Sequence, residues 1–154
     1  MNQPKMERLM HLDDMMPLFK ELLAEGKSVT FGPKGTSMMP MIRQNIDTVV
    51  LSPLPKKLKK LDLPLYQRDN GQYVLHRIVK GGETYTCIGD NQYIFEPGVR
   101  QDQMIGLVTG FYRGDQYHST SQLSHRFYRW SWHHSRTLRK YYRAFRAKLR
   151  SLKK

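Results

Sequence analysis

Residues 63–88 read LPLYQRDNGQYVLHRIVKGGETYTCI. Asp69-Asn70-Gly71 and Gly81-Gly82 divide this stretch into three runs rich in β-branched and aromatic residues: Leu63–Gln67, Gln72–Lys80 and Glu83–Ile88. Short runs of that composition, joined by Gly- and Asn-containing turns, are expected to form antiparallel strands. Outward from this stretch the same grammar recurs. Ser28–Phe31 (SVTF), Thr48–Leu51 (TVVL) and Met104–Tyr112 are further strand candidates. Residues 52–64, SPLPKKLKKLDLP, hold three prolines and four lysines, which bars a central strand and predicts a surface loop or edge. The expected fold is therefore mainly β and antiparallel.

Helices are expected at both ends. Leu9, Leu12, Met15, Met16, Phe19, Leu22 and Leu23 recur at helical spacing over residues 9–25. Asp13 or Asp14 is the candidate N-cap, Pro17 suits a first turn, and Gly26 a stop. At the other end Phe127, Trp130, His134, Leu138, Tyr141, Tyr142, Phe145, Leu149 and Leu152 recur every three or four residues, with Arg and Lys between them. That pattern predicts one basic amphipathic helix. The length of 154 residues suits one core, divided as an N-terminal helix (1–26), a β domain (27–124) and a basic tail (125–154).

Charge follows the same division. The net charge is +13, yet the last 30 residues carry 11 Lys or Arg and no acid, leaving 15 basic against 13 acidic residues before them. The basicity belongs to the tail and not to the β domain. No run is long and apolar enough to span a bilayer, and no secretory signal pattern opens the chain. The expected location is cytoplasmic. The tail reads equally as a helix packed on its own domain with the basic face solvated or as a membrane-surface helix giving peripheral association, and less favourably as a nucleic-acid binder. The single Cys87 excludes an internal disulfide and a multi-cysteine zinc site, and it reads as a small core residue. His125, His133 and His134 lack neighbouring carboxylates or thiols, so neither metal nor cofactor is expected.

Three stretches carry candidate chemistry: GTSMMP at 35–40, LHRIV at 75–79 and GDN at 89–91. Separately each has a bland reading: a loop serine, a structural histidine, an ordinary turn. In this order they resemble the type I signal peptidase and LexA-like serine peptidase superfamily. The closer likeness is to the subgroup that uses histidine, not lysine, as base. Its pattern is a G-x-S-M-x-P box, then H-R-I or H-R-V, then G-D-N. Asp47 before Val-Val, Asp62 before LPLY and Ile105-Gly106-Leu107-Val108 add further matches, so that the likeness spans roughly residues 27–112.

The resemblance implies a signal-peptidase/LexA-like antiparallel β domain acting as a serine endopeptidase on a peptide or a leader-like segment of a protein. Ser37 would be the nucleophile and His76 the general base, because a serine hydroxyl needs a neighbouring base and imidazole titrates near neutral pH. Asp90 would orient the imidazole, or else hold its turn. The Ser37 N–H would stabilise the oxyanion, with Gly35 and Thr36 completing that part of the site and Met38 walling the pocket. Arg77 should point to the opposite sheet face. Substrate would bind as an added strand, with Val29–Phe31 one candidate edge. The family's membrane anchor and the repressors' DNA-binding domain find no counterpart in the 36 residues before Ser37. An alternative of a different class is a non-catalytic adaptor with this fold. Its basic tail, residues 125–154, would bind an anionic membrane surface or, less favoured, nucleic acid. Nothing in the sequence indicates an oligomeric state.

Overall fold

A computed structural model describes residues 12–151 of the chain. Leu9 of the N-terminal stripe and Leu152 of the tail stripe lie outside the described residues. Helix α1 spans Leu12–Ala24 and is followed by strands β1 (Val29–Phe31), β2 (Asp47–Ser52), β3 (Pro64–Gln67), β4 (Tyr73–Leu75), β5 (Arg77–Lys80), β6 (Tyr85–Ile88) and β7 (Glu96–Val99). A 3-10 turn at Gln101–Gln103 leads into the long β8 (Met104–Arg113), then β9 (Gln116–Ser119), α2 (Leu123–His134) and α3 (Arg136–Ser151).

The strands form two antiparallel sheets. The larger has the order β1-β2-β8-β3-β4, with β9 also paired to β8; the smaller is β5-β6-β7. The protein is thus mainly β with three helices, as the run-and-turn pattern predicts. Helix α1 lays Met16, Phe19 and Leu23 against the large sheet, where they join Val29, Phe31, Val49 and Leu51. A second core of Tyr66, Val74, Ile78, Cys87 and Val99 joins the two sheets. Burial of Cys87 pushes its thiol up to about 12, so it is inert filling at neutral pH.

Four local expectations need correction. Helix α1 is already helical at Leu12, so neither Asp13 nor Asp14 caps it, and Pro17 lies inside it. The run Gln72–Lys80 is two strands in different sheets, broken at His76. Pro64 belongs to β3, an interior strand, but as its first residue; β4 pairs only with Leu65–Gln67, so no partner needs the missing N–H. The tail is two helices broken at Ser135. Arg139 donates from Nη1 to the Trp132 carbonyl (2.7 Å) and the Ser135 hydroxyl (2.5 Å), satisfying the open end of α2.

Asp47 anchors the start of β2. Its carboxylate accepts from Arg113 Nε (2.9 Å), Arg113 Nη2 (3.0 Å) and the Arg43 N–H (2.8 Å), with its side chain wholly buried. Burial pushes this carboxyl up, but the Arg113 bond and the Arg43 N–H outweigh it and hold it below its ordinary 3.8. A depressed folded-state value contributes stability above the unfolded value that is lost as pH falls through the folded one. Asp47→Asn should therefore destabilise the fold by about 2 kcal/mol at pH 7. Urea unfolding at pH 7 and pH 2.5 checks this: the gap between wild type and variant should shrink at the lower pH.

Candidate active site

The serine loop is built on a tight turn. Gly35 has a φ of +89°, a conformation open to glycine, and donates its N–H to Gln44 Oε1 (2.9 Å). Beyond it Met38, Met41 and Ile42 enter the core, which fixes the loop and leaves Ser37 half-buried at its rim. Met38 is buried and also borders the space beside Ser37, as expected of a pocket wall, whereas Met39 is exposed. Among the described residues the Ser37 N–H has no hydrogen-bond partner, so it is free to donate to a ligand.

The 89–91 turn clamps this loop. Asn91 donates its N–H to the Ser37 carbonyl (2.7 Å) and its Nδ2 to the Thr36 carbonyl (3.1 Å). Gly89 packs so closely that a Cβ there would lie 2.7 Å from the Ser37 carbonyl oxygen. Only glycine fits, which gives two of the three residues in GDN a direct role in holding the serine.

His76 sits between β4 and β5, where the chain leaves one sheet for the other. Ser37 and His76 line one cleft of about 330 Å³, together with Gly35, Thr36, Tyr73–Leu75 and Gln92. The two side chains are not hydrogen-bonded to each other; the His76 ring's hydrogen-bond contact is with Tyr66. The cleft runs along β4, which is an edge strand, as is β1. Residues 72–76 line the cleft and Val29–Phe31 do not, so the free edge at the site is β4.

Asp90 does not meet the imidazole. It is buried and accepts from Arg77 Nε (2.8 Å) and Nη2 (2.7 Å). Arg77, on the opposite side of the strand from His76, also reaches the Leu61 carbonyl (2.9 Å) and Met41 sulfur (3.1 Å). Tyr128 OH (3.5 Å) approaches the same carboxylate, and Trp132 Nε1 donates to the Asp90 carbonyl (2.8 Å). Asp90 therefore holds the turn, the second of the two roles the sequence allowed it.

The groups facing His76 Nδ1 are Tyr66 OH at 3.4 Å and Glu96 Oε2 at 3.5 Å. Tyr66 donates its hydroxyl to Glu96 (2.7 Å), and Arg68 binds both Glu96 oxygens at 2.6 Å. The Tyr66 oxygen can then accept from Nδ1–H, leaving Nε2 as the lone-pair nitrogen. The Arg68 bond holds the Glu96 carboxyl below its usual range, so it is ionised at neutral pH. Burial lowers the His76 value, while the Glu96 charge pulls it upward. Tyr66, Arg68 and Glu96 escaped the sequence reading, because they come from two distant strand ends, the close of β3 and the start of β7, and form no motif. Glu96 in particular follows an unremarked Tyr-Ile-Phe run.

No protein-family model matches this chain, and no curated protein matches it. Among the described residues no cluster of three His, Cys, Asp or Glu side chains is placed to hold a metal ion.

Two substitutions separate the roles of the acids. Asp90→Ala leaves Arg77 buried and unpaired, and should cost about 3–5 kcal/mol in chemical denaturation. Glu96→Gln removes the negative charge that favours imidazolium. His76, titrated by NMR, should fall from a midpoint already below 6.5 to a lower one. An unmoved midpoint would remove Glu96 from the histidine's electrostatics.

Proposed function

We propose that this chain is a small serine endopeptidase of the signal-peptidase/LexA-like type, with Ser37 as nucleophile and His76 as base. The observation that carries the reading is convergence. Residues 35–37 and 76, far apart in sequence, line one cleft, and the 89–91 turn, outside that lining, grips the serine loop by its carbonyls.

The chemistry follows from the donors and acceptors present. With substrate bound, His76 Nε2 takes the Ser37 Oγ proton as the oxygen attacks the scissile carbonyl carbon. The carbonyl π electrons move onto oxygen, where the free Ser37 N–H donates. Imidazolium forms next to the Glu96 carboxylate and the Tyr66 hydroxyl, which stabilise its charge and keep Nδ1–H turned inward. Nε2–H then protonates the departing amine. Water, deprotonated by the same nitrogen, attacks the acyl carbon, and Nε2–H returns the proton to Ser37 Oγ as the acyl–oxygen bond breaks and the acid leaves. In this reading Glu96 and Tyr66 orient the base, and Asp90 supports the turn.

The substrate would lie extended along the β4 edge, pairing its backbone with Gln72–Leu75. The group that protonates the leaving amine marks the side on which the chain continues past the scissile bond. Beyond His76 lies a second cavity of about 640 Å³ walled by Tyr93, Ile94, Phe95 and Pro97. Ile94 is 84% and Phe95 51% exposed. An apolar residue after the scissile bond suits this wall, and the family likeness supports a small residue before it.

Ser37→Ala and His76→Ala should each keep the fold and lower peptide cleavage at least about 1,000-fold. A peptide library read by mass spectrometry measures the cleavage. A fluorophosphonate label on Ser37, dependent on His76, reports the activated serine without a substrate. Wild-type cleavage by either variant would sink the dyad.

A further inference from the structure

Helix α3 has two faces with different fates. At 100° per residue, Arg136, Arg139 and Arg143 share one side. That side is turned onto the body: Arg136 lies over the Phe95 ring (5.7 Å), Arg139 over Trp132 (3.5 Å) and Arg143 over Tyr93 (5.6 Å). Arg143 also donates to Asn91 Oδ1 (2.6 Å). Leu138, Tyr141, Tyr142, Phe145 and Leu149 occupy the opposite side and are 43–73% exposed. Arg146 and Lys148 flank that row, one at each margin. With the basic side held inward by its contacts, the apolar row can only face away from the domain.

We infer that α3 docks the protein onto an anionic lipid bilayer, lying flat with its apolar row in the headgroup–acyl boundary. Charge complementarity selects this occupant. Helices α2 and α3 contain no acidic residue, and α3 alone carries seven Arg or Lys. An apolar row of Tyr, Phe and Leu rimmed by long cations is the composition of an interfacial helix, whose cations lift their charge to the phosphates while their stems stay apolar. A partner protein of ordinary surface would have to accept this concentration of positive charge, and a nucleic acid would leave the apolar row uncovered. No helix among the described residues is long and apolar enough to cross a membrane, so docking would be from one side. The inner face bonds Asn91, which in turn holds the Ser37 and Thr36 carbonyls; a docked α3 therefore keeps the candidate cleft close to the lipid surface.

Flotation of the full chain with vesicles of phosphatidylcholine containing about one-third phosphatidylglycerol tests this, independently of any cleavage. Wild type should float with the anionic vesicles and bind neutral ones at least tenfold more weakly. Tyr141→Glu with Phe145→Glu should lower binding more than tenfold. Arg146→Ala with Lys148→Ala should lose about fivefold per cation on anionic vesicles only. Circular dichroism and thermal unfolding confirm that both variants keep the helix. Wild type remaining unbound, or the double glutamate variant floating like wild type, overturns the inference. So does a wild type that stays off vesicles but sediments as a dimer or shifts with single-stranded RNA; those results would give the face to self-association or to nucleic acid.

Discussion

The Arg77–Asp90 ion pair is the contact on which the arrangement depends. Both side chains are almost wholly buried, and their two bonds of 2.7–2.8 Å cross from the first residue of β5 to the turn after β6. Two charges removed from water are tolerable only when every remaining donor is used. Arg77 spends its other bonds on the Leu61 carbonyl and the Met41 sulfur. One side chain thus ties together the long loop before β3, the segment following the serine and the 89–91 turn. Trp132 and Tyr128 add α2 to the same point.

What the pair holds is a junction between two sheets. The chain leaves the large sheet at Leu75 and enters the small one at Arg77, so His76 is presented where neither ladder claims its backbone neighbours in the same way. Alternation then sends Arg77 inward to Asp90 while His76 faces the cleft. The imidazole is steadied by a second ion pair, Arg68–Glu96, with Tyr66 between. A half-buried carboxylate kept ionised by a bidentate arginine is well placed to favour a transient positive charge on a neighbouring ring. The two ion pairs divide the labour: Asp90 supports the turn that holds the serine loop, and Glu96 faces the imidazole.

Much of this was legible in order but not in space. The turn sequences at 69–71 and 81–82 marked strand ends because Gly and Asn tolerate backbone angles that other residues avoid. The strands β7 and β9 were missed, since EPGV and QYHS lack β-branched runs and exist through pairing with β6 and β8. The tail's stripe was visible from spacing. Its break at Ser135 was not, because Arg139 folding back onto the Trp132 carbonyl is a tertiary choice. Likewise Tyr128 and Trp132, not Phe127 and Trp130, are the aromatics of α2 that contact the 89–91 turn.

The sequence by itself determined the mainly antiparallel β character, the helical ends, the segregation of charge into the tail, and the candidates Gly35, Thr36, Ser37, Met38, His76 and Asp90. The fold character, the helical ends and the charge segregation follow from periodicity, turn chemistry and composition, which are local; the site candidates follow from the resemblance of three short motifs to a known family's pattern. Only the tertiary structure decided that β4 and β5 part at His76, that Asp90 belongs to Arg77, and that Tyr66 and Glu96 face the imidazole. Those outcomes depend on which buried charge finds which partner across 13 to 30 residues of chain, and the cost of an unpaired buried charge, not local propensity, makes that selection.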